Sequence, residues 1–172
     1  HHPIDQQVQL FDAIVETGEA FGLKHFGMYA MESMRIEKSY RMWGTDLTRE
    51  YSILEAGLSR FVQFKKDEFV GKDALVNQKD TGIPQEFVTL EIDVTDGDAM
   101  GSEPIFRKGT MIGRATSGCF GHSVGKSLAL AYVQTGNGDI GMELEIEILG
   151  ERRLAHVIPE SPCDPENEKL RA

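Results

Sequence analysis

The sequence predicts an α+β protein, a helix-rich piece followed by a small all-β piece, and three observations carry that reading. Apolar residues recur at helical spacing over Ile4–Phe21 and again over Gly27–Glu37. After Pro84 the apolar period changes to two. From there short strand-like runs follow one another with no helical segment between them, which argues for an antiparallel barrel or sandwich. The polar stretch Asn77–Pro84, with its Gly and Pro, is the best boundary between the pieces. Domains are therefore expected at residues 1–80 and 81–172.

In the first piece, Ile4, Val8, Phe11 and Val15 make an apolar stripe that Leu10 and Ile14 widen, so a helix packed on one face is expected, with Gly22 as its stop. Gly27–Glu37 reads as a second helix, with Ala30, Met31 and Met34 on one side and Glu32 and Ser33 on another. Phe61–Phe64 is a short strand candidate, Lys65–Glu68 a charged turn, and Val70–Val76 one or two helical turns. In the second piece Val88, Leu90, Ile92 and Val94 alternate with Thr89, Glu91 and Asp93 as in a half-buried strand. Ile105-Phe106 and Met111-Ile112 flank a hairpin turn at Arg107–Thr110. Ser127–Val133 is a further strand, Leu144, Ile146 and Ile148 alternate with three Glu, and Arg153–Ile158 follows a turn at Gly150-Glu151. The tail from Pro159 reads as irregular.

At 172 residues and 40% hydrophobic content the chain can build a core without staples. No apolar run approaches the roughly 20 residues that span a bilayer, and no basic-then-apolar signal segment opens the sequence, so no membrane association is expected. His1-His2 reads as a tag remnant. With 28 Asp+Glu against 18 Lys+Arg, net charge −10, the average field repels a phosphate backbone, and nucleic acid is not an expected partner. Cys119 and Cys163 make neither a disulfide framework nor a zinc pattern, so the default compartment is reducing.

Between the two pieces of clear periodicity lies Tyr29–Leu58, which holds the only Trp and fits neither a helix nor a strand period in its middle. Such a segment is a buried elbow between two units or the wall of a pocket.

The chemical motifs are weak. Gly136–Gly141 matches GxGxxG, but an alternating strand follows where a dinucleotide site needs a helix. Gly121–Ser127 is one residue short of a phosphate loop. Asp93, Asp96 and Asp98 lack the Glu that closes a calcium loop. His25, His122 and His156 have no nucleophile or acid at useful spacing. No catalytic group and no metal site is nominated.

The stretch Met34-Arg35-Ile36-Glu37-Lys38-Ser39-Tyr40-Arg41-Met42-Trp43-Gly44-Thr45-Asp46 resembles the folate-binding aminomethyltransferases of the glycine-cleavage T-protein type, and more closely the similar module at the C-terminal end of dimethylglycine and sarcosine dehydrogenases. Glu55–Leu58, Asp67–Leu75, Ile112–Gly118, Leu128–Val133 and Cys163–Glu166 agree in order and spacing, so the likeness covers nearly the whole chain. It implies the last part of an α/β folate-binding unit followed by a small antiparallel β-barrel. It implies transfer of a one-carbon unit from an N-methyl amine to tetrahydrofolate. FAD enters only if a separate oxidase or dehydrogenase domain precedes.

The residues the resemblance places toward folate are Tyr29, Met31, Arg35, Glu37, Tyr40 and Trp43. Tyr29, Tyr40 and Trp43 suit the walls of a flat ring site. Met31 stands where T-proteins commonly have an Arg for the folate glutamate tail, and it offers no donors. Arg35 and Glu37 match motif positions, though both can serve the fold instead. The family's catalytic carboxylate lies in a half of the folate domain that this sequence does not contain, so the chain is expected to be inactive alone. Its expected partners are that missing N-terminal half, a complementary subunit, or a second copy. The compartment expected is the cytoplasm, or the mitochondrial matrix in a eukaryote. The alternative reading is a non-catalytic interaction or regulatory module that keeps the barrel without folate chemistry.

Overall fold

In a computed structural model, which describes residues 1–171, the chain divides into two compact units, His1–Met31 and the segment from Glu32 onward. The N-terminal unit opens with a 3₁₀ turn at Ile4–Gln6 and continues as helix α1, Gln7–Glu19. Gly22, at φ +69°, ends it, and Leu23 N–H returns to the Gly18 carbonyl at 3.0 Å. Glycine is required at 18 because a Cβ there would lie 2.5 Å from a Leu23 methyl. One expectation is corrected. The apolar stripe of α1 is present, but no residue of the helix is buried, and Ile4, Val8, Phe11 and Ile14 are all exposed. Periodicity locates an apolar face without supplying its cover. Helix α2, Met28–Glu37, contains the division between the units.

The second unit is organised around a closed six-stranded antiparallel barrel. Its strands are β1 (Gln85–Ile92), β2 (Pro104–Arg107), β3 (Thr110–Gly121), β4 (Lys126–Gln134), β5 (Glu143–Ile148) and β6 (Glu151–Ile158), in the ring order β1-β4-β3-β2-β5-β6. The β2–β3 and β5–β6 turns each need two left-handed residues. Lys108 and Gly109 supply them in one, Leu149 and Gly150 in the other. Leu90, Ile105, Leu144, Ile146 and the small Ala129, Ala131 and Ala155 fill the interior. The run of β4 is buried on both faces, since Leu128 and Leu130 pack outside the barrel against Ile36 of α2.

Two further expectations are corrected. Phe61–Phe64 is not a strand; a 3₁₀ turn at Ser59–Phe61 occupies its start, and the closed ring leaves no free edge for another strand to join. Helix α3 spans Lys72–Thr81, beginning after Gly71 (φ +87°) and ending at Gly82 (φ +93°), so it takes up most of the stretch read as a polar boundary. The tail also carries one short helix, α4, Glu168–Arg171.

Candidate functional site

The segment joining α2 to the barrel is built around one carboxylate. Asp46 is fully buried. Its Oδ2 accepts Arg35 Nη1 at 2.7 Å and the Met42 N–H at 2.8 Å. Its Oδ1 accepts the hydroxyls of Thr116 and Ser117, at 2.5 and 2.8 Å. Consecutive residues of a regular strand point to opposite faces. Here the β3–β4 register shifts between Ala115 and Ser117, and that bulge lets Thr116 and Ser117 reach the same carboxylate.

Arg35 completes the node. It donates to Glu32 with two nitrogens, to the Tyr40 carbonyl at 3.0 Å and to Ser117 Oγ at 3.0 Å. The Asp46 carbonyl accepts the Tyr132 hydroxyl at 2.8 Å, and burial pushes that phenol well above its ordinary range, so it stays a donor. Tyr51 stacks on the Tyr132 ring with centroids 3.6 Å apart. A buried charge with this many donors is satisfied, and the elbow is thereby tied to β3 and β4.

Trp43 stands on the turn that this node closes. Met42 O accepts the N–H groups of Asp46 and Leu47, Gly44 N–H donates to Leu47 O at 2.8 Å, and Gly44 needs its φ of +92°. The indole is 75% exposed and the Tyr40 ring about half exposed. Glu37, 2% exposed, faces the other way: its carboxylate accepts the Ser123 N–H of the β3–β4 turn at 2.5 Å. Arg35 and Glu37 thus have their charged groups engaged inside the fold. In the N-terminal unit, Tyr29 is exposed and Met31 half-buried. The structure brings Arg35, the Tyr40 backbone and the Trp43 turn together around Asp46. Sequence reading missed Asp46, Thr116 and Ser117 as a set. The signal available was two adjacent hydroxyls in a strand run, which marks a bulge only once the partner strand is known.

The other motifs resolve structurally. The Gly136–Gly141 loop joins β4 to β5, and its N–H groups are taken by the Glu86 carboxylate, which accepts from Gly136, Asn137 and Gly138 at 2.8, 3.2 and 2.9 Å. The loop is an anion nest filled by the protein itself. Asp96 pairs with Arg153 and Asp98 accepts the Ser127 hydroxyl. Among the described residues no group of three or more His, Cys, Asp or Glu is placed to hold a metal. A cavity of about 550 Å³ opens at one end of the barrel beside Asp98, Phe120, Lys126 and His156, and none of the six candidate residues lines it.

Residues 1–66 match the family model described as the GCVT N-terminal domain, and residues 85–164 the one described as the glycine cleavage T-protein C-terminal barrel domain. The chain belongs to the glycine cleavage T-protein family. It is 38% identical over 161 residues to mitochondrial dimethylglycine dehydrogenase of Homo sapiens, covering 93% of this chain and 19% of that protein. It is 34% identical over 157 residues to the aminomethyltransferase of Desulfitobacterium hafniense (strain DSM 10664 / DCB-2), covering 91% and 43%. The fold is that of the glycine cleavage system aminomethyltransferase T from Bartonella henselae, with a TM-score of 0.84 at 24% identity over 95% of this chain and 45% of that one. The chain therefore spans about a fifth of the dehydrogenase's length and less than half of the aminomethyltransferase's.

Proposed function

We propose that this chain is the C-terminal portion of a folate-dependent one-carbon transfer module, which passes a one-carbon unit from an N-methyl amine to tetrahydrofolate. The observation that carries the reading is the exposed indole of Trp43 on a turn whose backbone is closed by a buried carboxylate, in a chain of this family. An aromatic face held open to solvent suits a flat heteroaromatic ring. Tyr40, three residues before it, offers a second. When bound, tetrahydrofolate supplies the nitrogen that accepts the one-carbon unit. The residues here would hold the ring and exclude water from one side.

The same geometry limits the charged roles. Arg35 is committed to Asp46 and Glu32, and Glu37 to the Ser123 amide, so neither side chain presents a free charge. On this reading the electrostatic contribution to transfer comes from outside this chain, so the chain alone is expected to be inactive and to need the N-terminal half of the folate domain, or a complementary subunit, as its partner. The exposed stripe of Ile4, Val8, Phe11 and Ile14 supports a partner or a second copy. A flavin would act only in a separate domain ahead of this one. The human relative is mitochondrial, which supports the matrix as the compartment in a eukaryote.

The second reading is an interaction or regulatory module without folate chemistry, favoured by the internal engagement of Arg35 and Glu37 and by Met31. Calorimetric titration of the complete protein with tetrahydrofolate separates the two. Saturable binding that strengthens when the missing half is supplied supports transfer. No heat with demonstrably folded protein, with and without that half, removes it in favour of the module.

A further inference from the structure

We infer that Thr116 and Ser117, acting through Asp46, are positioning residues for the Trp43 ring; this rests on the folate reading above and gives a role to two residues of the Ile112–Gly118 stretch that the sequence left without one. Trp43 lies between Met42, whose N–H is held by Asp46 Oδ2 and whose carbonyl takes the Asp46 and Leu47 N–H groups, and Gly44, which donates to Leu47. The backbone on both sides of the indole is thus fixed, and only its two side-chain torsions are free. A ring presented this way loses little freedom when a ligand stacks on it.

The turn cannot hold that position alone. Its inner carboxylate is oriented by the two hydroxyls, and they arrive together only because β3 bulges between Ala115 and Ser117. Arg35 balances the charge from the α2 side, and its bonds to Glu32 within α2 and to the Tyr40 carbonyl just past it stay within that one segment. The hydroxyls have narrower roles. Thr116 donates to Asp46 and reaches only the Leu130 carbonyl besides, and Ser117 donates to Asp46 while accepting from Arg35. They set where the turn sits on the barrel.

Trp43 is the only tryptophan of the sequence, so intrinsic fluorescence reports this turn directly. The variants are Thr116→Val, Ser117→Ala, Thr116→Ser and Trp43→Phe in the 172-residue protein. The readouts are steady-state anisotropy, for the variants that keep Trp43, and tetrahydrofolate affinity by calorimetry, all well below the melting transition. Removing either hydroxyl lowers the anisotropy of Trp43 and weakens binding about tenfold, the worth of one hydrogen bond to a charged group. Thr116→Ser, which keeps the donor, restores both. A merely structural role would lower the melting temperature and leave anisotropy and affinity unchanged; that result overturns the inference while leaving the folate reading intact. Binding that Trp43→Phe does not weaken overturns it too, by removing the indole from the site. No binding by the wild-type protein, with and without the missing N-terminal half, removes the folate reading itself and this inference with it.

Discussion

Replacing Asp46 by Asn tests the node at its centre. The side chain is fully buried and that of Arg35 is 11% exposed, so water cannot replace the lost charge. The amide oxygen can still accept, but its NH2 would face donors: Arg35 Nη1 and Met42 N–H on one side, or the Thr116 and Ser117 hydroxyls on the other. The hydroxyls can rotate to accept; the guanidinium and the backbone amide cannot. Breaking a buried pair on one side costs about 3–5 kcal/mol. Arg35 keeps Glu32 and the Tyr40 carbonyl, which places the expected loss near the lower end, about 3 kcal/mol. For a chain of this size that lowers the melting temperature by roughly 10 °C. Calorimetric melts of wild type, Asp46→Asn, Arg35→Met and the double variant give the coupling directly. The exposed pair Arg114–Glu50, with side chains 48% and 70% exposed, is the internal comparison, where Glu50→Gln should cost about 0.5 kcal/mol. If Asp46→Asn costs no more than that, the carboxylate is solvated and the account of the elbow is wrong.

Two other predictions follow from single groups. Glu86→Ala leaves the Gly136 and Gly138 N–H groups without their acceptor, while the Asn137 N–H keeps the Gln134 carbonyl, so urea unfolding should show a loss of about 1–3 kcal/mol, and Glu86→Gln, which keeps an acceptor, a smaller one. Burial, followed by the Asp98 and Glu37 carboxylates, pushes the Cys119 thiol up from 9.0 to about 11. The folded thiol holds its proton longer than the unfolded one. Its contribution to stability is therefore complete below about pH 9 and is lost as pH rises toward about 11. At pH 8 the folded thiolate fraction is much lower than the unfolded one, and the greater nucleophilicity of a higher-pKa thiolate offsets part of that, so in a Cys163→Ser background disulfide-exchange labelling should slow by about tenfold in the native protein. Labelling at equal rates in native and urea-unfolded chains would contradict it.

Which parts of this fold were legible follows from where each residue finds its cover. Apart from β3 beyond Ile112, whose small and polar residues show no period of two, the strands of the barrel were readable because each is covered by its own neighbours. Leu144, Ile146 and Ile148 face inward, the glutamates between them point away from the interior, and the hairpin turns are fixed by local residues such as Gly109 and Gly150. The stripe of α1 was equally visible, yet the same pattern describes a helix face whether or not anything lies on it. Phe61–Phe64 had strand-like residues and failed because a strand needs an edge, and closure of the ring is a property of all six strands together. Helix α3 was drawn too short because Asn77–Thr81 is polar. Its stop at Gly82 is the local signal that outweighed composition.

The motif from Met34 to Asp46 shows why recognising a family and locating its chemistry are separate inferences. Its buried members serve the barrel: Ile36 against Leu128 and Leu130, Ser39 bonded to Thr89, Glu37 to Ser123, Asp46 to the β3 bulge. Its exposed aromatic members, Tyr40 and Trp43, have no such partner for their rings among the described residues. A residue type constrained by burial on all sides makes a motif recognisable whatever the ligand, since any other side chain would leave an unpaired donor or a void. The charged positions that look most chemical, Arg35 and Glu37, are therefore the ones the fold already accounts for. The aromatic positions, which packing does not require to be aromatic, are where a function has to be sought.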